Sequence, residues 1–513
     1  MFIASRLALL SLSCLAALLA GGCAALSVDA PSPNPTARRP ATAAEQRVAR
    51  RFAGMRRDPP ALRAFLRALP KGADLHTHLT GAVYAESYIR WAADMAVCVD
   101  RGTLAFVAGL ANAAAAEPPT VPGATAATCR DPAAQRPASD ALRDATLYRS
   151  LVDALSTRFW QAARNAGHYQ FFDSFSKFGE VAREGRGAPG LVARSVAEVA
   201  ERAALQNVLH LELMMAFGAA SDEPPVIDPL RDGDGQFEAA TALLLASGMR
   251  ERVTERRQWL DGVETATRAL LRCADADPMK GCAVSVRYIP YALRGQAPGR
   301  VFSQALFAFE LAAADPRMAG VNLVMPEDWF IPMRDYDLHM RMYRFLRRQY
   351  PGVHVALHAG ELALGLVPPE QLGLHVRQAI ETGGAQRIGH GTDVMYDANP
   401  DLLLKEMARR RIAVEISLSS SDLILGVRGA RHPLRQFLRA GVPVVIATDD
   451  EGVARSDLTN EYQRAVEEHG LGYRELKEIS RNSIEYSFLP AVEKARTRAR
   501  LEAAFTSFEA AYR

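Results

Sequence analysis

Two histidines separated by one residue, in Asp74-Leu-His76-Thr-His78, are the first sign of chemistry in this chain. Side chains alternate along a β-strand, so residues i and i+2 point to the same side, and His76 and His78 can bind one metal ion. Three later runs carry residue types that belong to the same chemistry. VALHAGEL supplies His358 and Glu361, RIGHGTD supplies His390, and VVIATDDEG supplies Asp449 and Asp450. Imidazole nitrogens and a carboxylate oxygen suit Zn²⁺ with one position left for water. A carboxylic acid three residues beyond a ligand is well placed for proton transfer, provided that its pKa is raised. Taken singly, each has a plain structural reading: His358 as a hydrogen-bonded core histidine, Asp449 as a helix N-cap. Their joint occurrence at the ends of apolar runs favours a metal site.

Those runs must be brought together by a fold. Eight short apolar stretches read as strands: Ala73–His78, Asn207–Met215, Ala283–Pro290, Gly320–Met325, Val353–His358, Arg387–His390, Ala413–Ser419 and Val442–Thr448. Helical patterns such as Val301–Ala314, Leu338–Arg348 and Leu402–Arg410 separate them. Strands alternating with helices predict βα units and a parallel sheet. Eight units predict an α/β protein, a (β/α)8 TIM barrel in which the carboxyl ends of all strands converge on one face. Metal-ligand types at the ends of strands one, five and eight then meet in space.

The chain has 513 residues, enough for three domains or for one barrel with additions. Hydrophobic residues make up 49% and charged residues 23%, which excludes general disorder. Lys+Arg 61 against Asp+Glu 58 leaves a net charge of +3, too even to mark a nucleic-acid-binding surface.

The start, MFIASRLALLSLSCLAALLAGGC, has a positive residue at Arg6, an apolar run over 7–20 and small residues before Cys23. This pattern predicts a secretory signal over 1–22, and its ending resembles a lipobox, with Cys23 as the lipidated residue. The expected location is the periplasmic or outer face of a bacterial membrane. Residues 23–45 are rich in Pro, Ala and Ser and read as a tether. Residues 46–69 read as a helical extension, and 70–513 as the barrel. Between the first two strands lies an oversized connection whose middle, 98–141, is Ala/Pro/Thr-rich. Four cysteines remain, Cys98, Cys129, Cys273 and Cys282. They allow three connectivities, of which the local pairs Cys98–Cys129 and Cys273–Cys282 are the simplest; four free thiols stay open as the alternative. The first pair would bracket the insertion.

HTHL, HAGE, GHG and TDD, in this order, together with NSIEYSF at 482–488, resemble the adenosine deaminase family of metal-dependent amidohydrolases over roughly residues 68–490. The signal, N-terminal extension and bracketed insertion look like the secreted, growth-factor-like branch of that family. The resemblance implies that His76, His78, His358 and Asp449 hold one Zn²⁺, which lowers the pKa of a bound water. It implies that Glu361 protonates purine N1, His390 positions the attacking water and Asp450 bonds purine N7. The implied substrate is a purine nucleoside, with loss of ammonia from C6. In the secreted branch the N-terminal extension supports dimers, so a homodimer is an expectation here too.

The nucleoside-recognition shell departs from the family pattern. Thr80 stands where an acidic residue often lies near the ribose 5′-hydroxyl. VNLVMPEDW puts Met325 or Pro326 before Glu327 and Asp328, where a Gly is common. The seventh run reads VEISLSSS. Thr80 and Glu327 are therefore candidate substrate contacts, as are Phe172 and Phe175, which recur with Phe178 every three residues on a predicted helix; a core stripe is the other reading. Glu212 and Arg294 could touch substrate or form a salt-bridged rim. A binuclear amidohydrolase would need a lysine at the end of the fourth strand, and none occurs between Lys280 and Lys405. The cytidine-type H-x-E…P-C-x-x-C arrangement is absent. A modified purine as substrate, or an inactive binding lipoprotein that keeps the barrel, are the remaining alternatives.

Overall fold

A computed structural model describes residues 40–109, 129–158, 166–182, 188–217 and 235–512. The leader, Cys23 and all but the end of the tether lie outside the described residues.

Eight parallel strands form the centre: β1 (Gly72–His78), β2 (Val208–Met215), β3 (Ser285–Leu293), β4 (Asn322–Val324), β5 (Ala356–Ala359), β6 (Arg387–His390), β7 (Ala413–Ile416) and β8 (Val444–Ile446). β1 to β4 pair in sequence order, and so do β5 to β8. Two bridges close the ring. Val321 and the β5 approach exchange backbone bonds (Val321 N to His354 O, 2.9 Å; Ala356 N to Val321 O, 3.1 Å), and Thr77 bridges Asp449. Helices follow each strand, and the α/β fold with a (β/α)8 barrel stands as expected. The strands are buried on both faces, which is why they read as continuous apolar runs.

Several boundaries differ from the sequence reading. β3 starts at Ser285, because Lys280–Ala283 forms a tight turn joined through Cys282 to Cys273. It continues past Pro290, which pairs with Met215, as far as Leu293. β7 stops at Ile416, and Leu418–Leu425 is a helix. The helix expected at Leu338–Arg348 spans Phe330–Gln349. The helical extension starts inside the expected tether. α1 (Ala43–Met55) begins at Ala43 because Thr42 and Glu45 form a reciprocal capping box. α2 (Pro59–Ala68) follows, with Asp58 as N-cap and proline in its first turn.

The two helices belong to the barrel body. Phe65 packs on Phe52, Tyr473 and Phe508, and Lys477 binds both Glu45 (2.7 Å) and Glu509 (2.5 Å). In the insertion, Cys98–Asp100 is the central strand of a small antiparallel sheet with Phe106–Val107 and Gln135–Pro137. Cys98 is joined to Cys129, Cα–Cα 5.8 Å. Among the described residues, no helix is long and apolar enough to cross a membrane.

The NSIEYSF segment closes the amino-terminal end of the barrel. Ser483 accepts from Ala73 N (2.7 Å), and Asn482 donates to Val444 O (3.1 Å). Phe488 lies 3.8 Å from the Arg387 guanidinium, and Tyr486 O accepts from it. Arg387 is itself buried between Glu212 (2.7 Å) and Glu415 (2.5 Å). Removing one partner of such a group leaves uncompensated buried charge. Arg387→Met is therefore expected to lower the unfolding free energy by roughly 3–5 kcal/mol in a denaturant titration. A loss under ~1 kcal/mol would show that the two glutamates find other partners.

Candidate metal centre and active site

Each candidate ligand sits where its strand ends. β1 delivers His76 and His78, and β5 delivers His358. Asp449 follows β8 and is locked to β1 by two backbone bonds, Asp449 N to His76 O (2.8 Å) and His78 N to Asp449 O (3.0 Å). Gly389, on β6, allows His76 its place: a Cβ there would lie 2.7 Å from His76 Cε1.

The donor atoms converge. His78 Nε2 lies 3.2 Å from His358 Nε2, and Asp449 Oδ1 lies 3.3 Å from His76 Nε2 and 3.4 Å from His78 Nε2. Ligands about 2.0–2.1 Å from a tetrahedral Zn²⁺ would be separated by about 3.3 Å, so the spacing fits. The chemistry fits as well. His76 Nε2 is buried without a hydrogen-bond partner. Burial disfavours a proton on His76, but the adjacent carboxylates of Asp449 and Glu415 outweigh it and push its pKa up to about 10. Burial pulls His78 down to about 3, and pulls His358 well below the usual histidine range. One positive charge is thus favoured at the centre of the donors, which is what a cation supplies. His390 also approaches: its Nε2 is 4.0 Å from Asp449 Oδ2, and it groups with His76, His358 and Asp449 within 4.8 Å, while His78 groups with Asp449 and Asp450.

A second layer orients the first. Glu415 accepts from His76 Nδ1 (2.7 Å), and Asn322 Oδ1 bonds His358 Nδ1 (3.0 Å). Such partners fix the tautomer and the ring direction of metal-binding histidines.

Glu361, His390, Asp449 and Asp450 face a cavity of about 580 Å³. Glu361 Oε1 and Asp450 Oδ1 are buried and have no hydrogen-bond partner among the described residues. Glu361 Oε1 lies 3.7 Å from His390 Nε2. Burial, reinforced by the charges of Asp449 and Glu327, pushes the Glu361 carboxyl well above its usual range. Burial lowers His390 to about 4 and so keeps its ring neutral. Thr80, Phe172, Phe175 and Phe178 line the cavity too.

Glu327, expected to touch substrate, does not reach the cavity. Its carboxylate accepts from Gly360 N and Glu361 N (both 2.9 Å) and from His375 Nδ1 (2.5 Å). The left-handed turn at Met325 (φ +97°) sends Met325 and Pro326 to the cavity and Glu327 behind the β5 loop. Burial raises its pKa, but Arg294 and His375 outweigh burial and bring it down to about 2, so it stays ionised. Arg294 is not at the rim: it is fully buried and donates to Met325 O (2.8 Å) and His358 O (3.2 Å). Glu212 pairs with Arg387, away from the site. Sequence reasoning missed Glu415, Asn322, Tyr291, Trp329 and Arg300, which support or line the site.

Residues 251–504 match the family model described as adenosine deaminase. Over 146 residues (28% of this chain, 35% of the relative) the chain is 40% identical to an aminodeoxyfutalosine deaminase of Streptomyces coelicolor. Over 178 residues (34% and 47%) it is 35% identical to an adenosine deaminase of Vibrio cholerae. The chain thus spans less than half the length of these two relatives. The fold is shared more widely: a zinc-bound amidohydrolase from Burkhoderia ambifaria aligns with TM-score 0.55 at 19% identity, covering 94% of this chain and 98% of that one.

Glu415→Gln keeps the shape of the side chain but removes the charge that orients His76. Its metal affinity, measured by competition with a chelator, is expected to fall about 10–100-fold. An unchanged affinity would show that Glu415 serves Arg387 alone.

Proposed function

We propose that the protein is a mononuclear zinc aminohydrolase that removes the 6-amino group of a purine nucleoside, adenosine or deoxyadenosine in the simplest case. The observation that carries this reading is Glu361: a buried carboxyl, raised in pKa, with a free oxygen facing the cavity beside three histidines and an aspartate. His76, His78, His358 and Asp449 would hold the ion. Zn²⁺, when bound, lowers the pKa of a water so that hydroxide is available near neutral pH. The remaining work falls to the chain. Glu361 gives a proton to N1 of the ring, which takes up the electrons displaced when C6 is attacked. His390, neutral and next to Glu361, orients the attacking water and accepts its proton. Asp450 bonds N7 and sets the ring in plane. The Glu327 carboxylate holds the Glu361 backbone so that its side chain meets the ring edge. The phenylalanine wall covers the base and excludes bulk water.

The altered shell at Thr80 and Met325–Pro326 supports a second reading, a modified purine in place of adenosine. We also propose that the chain is exported and lipidated on Cys23, with the layout of the secreted branch of the family; mass spectrometry of the mature amino terminus tests this. A homodimer is proposed on the same resemblance.

The metal-loaded protein should release ammonia from adenosine, deoxyadenosine, or an N6-substituted or phosphorylated analogue, with a shift of the purine absorbance. No turnover of any 6-aminopurine with metal bound would overturn the proposal. Glu361→Gln should keep its metal and lose turnover by about 10²–10⁴-fold. Survival of turnover would move the acid–base role to another residue.

A further inference from the structure

Deamination requires only the amino end of the purine at the metal centre. The opposite end of the substrate meets the rest of the cavity, and that wall is mostly apolar, with Phe171, Phe172, Phe175, Leu293 and Val324 among its residues. One residue breaks the pattern. Arg300 is the only lysine or arginine among the described residues that line the cavity. It stands in the first turn of the helix Pro298–Ala314, just beyond the end of β3. The metal ligands come from β1, β5 and β8, so Arg300 belongs to a different arc of the barrel mouth.

Arg300 is half-buried, and among the described residues its guanidinium makes no hydrogen bond or ion pair with the protein. The other buried arginines behave differently. Arg387 lies between Glu212 and Glu415, Arg294 is tied to two carbonyls, and Arg202 binds Glu451 and Glu198. A guanidinium does not lose its proton, and an unpaired charge on an apolar wall is unfavourable. Its planar fork of donors matches phosphate or carboxylate oxygens. The acidic residues of the cavity, Glu361, Asp449 and Asp450, belong to the metal centre, and none of them pairs with Arg300. The polar residues elsewhere on the wall, Thr80 and Tyr291, are uncharged and do not repel an anion.

Resting on the deaminase reading, we propose that Arg300 binds an anionic group on the sugar end of the 6-aminopurine. The favoured substrate is then a nucleoside carrying a phosphate or a carboxylate, rather than uncharged adenosine.

The test compares kcat/KM of the metal-loaded full chain for adenosine, adenosine 5′-monophosphate and adenosine 5′-carboxylate, in the natural protein and in Arg300→Ala and Arg300→Lys. The natural protein should favour at least one anionic substrate. Arg300→Ala should reduce the anionic-to-neutral ratio by about 10-fold or more, mainly through KM, and Arg300→Lys should restore part of it. The two anionic arms tell phosphate from carboxylate. A preference for adenosine over both, or a ratio unchanged in Arg300→Ala, overturns the inference while leaving deamination intact. If no 6-aminopurine is turned over, the deaminase reading fails, and binding of inosine against inosine 5′-monophosphate, followed by tryptophan fluorescence, decides for Arg300. Tighter binding of the monophosphate that Arg300→Ala abolishes upholds the anion site, whereas equal or undetectable binding overturns it.

Discussion

The seam at which the barrel closes is also the floor of the candidate metal site. Asp449 N donates to His76 O and His78 N donates to Asp449 O, so the last barrel strand is pinned to the first by the backbones of three ligands. A one-residue slip there would turn His76 and His78 to the wrong faces of β1. It would also move the Asp449 carboxylate away from both imidazoles. Closing the barrel and assembling the donors are thus one event. The chemistry of this chain depends on strand register more than on any single side chain.

Two buried charge chains support the site. In one, Phe488 and Tyr486 hold Arg387, Arg387 holds Glu415, and Glu415 holds His76. In the other, Arg294 and His375 flank Glu327, which grips the backbone of Gly360 and Glu361. Arg387 is paired with the Glu415 carboxylate and Glu327 with Arg294 and His375, the condition under which buried charge is tolerable. The first chain gives the NSIEYSF segment a physical role: from the amino-terminal end of the barrel it anchors the arginine that ultimately orients a ligand at the opposite end.

That His76, His78, His358 and Asp449 come together was legible in sequence because they are rare types at the ends of apolar runs, and strand ends converge in a barrel. The supporting layer was not. Glu415 and Asn322 lie inside strand-like runs, where a polar residue carries no sign of which face it takes. Glu327 was misplaced because it follows a strand end, as true site residues do; only the left-handed turn at Met325 reveals that it points behind the loop. Arg300 was passed over because an arginine in the first turn of a helix is an ordinary surface residue until the cavity around it is seen. The start of α1 at Ala43 coincides with Thr42 and Glu45 at capping-box spacing.

Met325, His390 and Asp449 share a positive φ that non-glycine residues rarely adopt, and they stand at the ends of β4, β6 and β8. Such conformations cost about 1–3 kcal/mol each and persist only where surrounding structure determines them. Here each has a visible return. At Asp449 the turn aims the carboxylate at two imidazoles, at His390 it brings the ring beside Glu361, and at Met325 it turns Glu327 inward to hold the Glu361 loop. Three of the nine non-glycine residues with positive φ among the described residues thus stand at the carboxyl end of the barrel, while the opposite end is packed by aromatic side chains. That division lets the apolar core and the terminal helices stabilise the fold, and leaves the cavity wall beyond β3 free to vary with the substrate without disturbing the ligands on β1, β5 and β8.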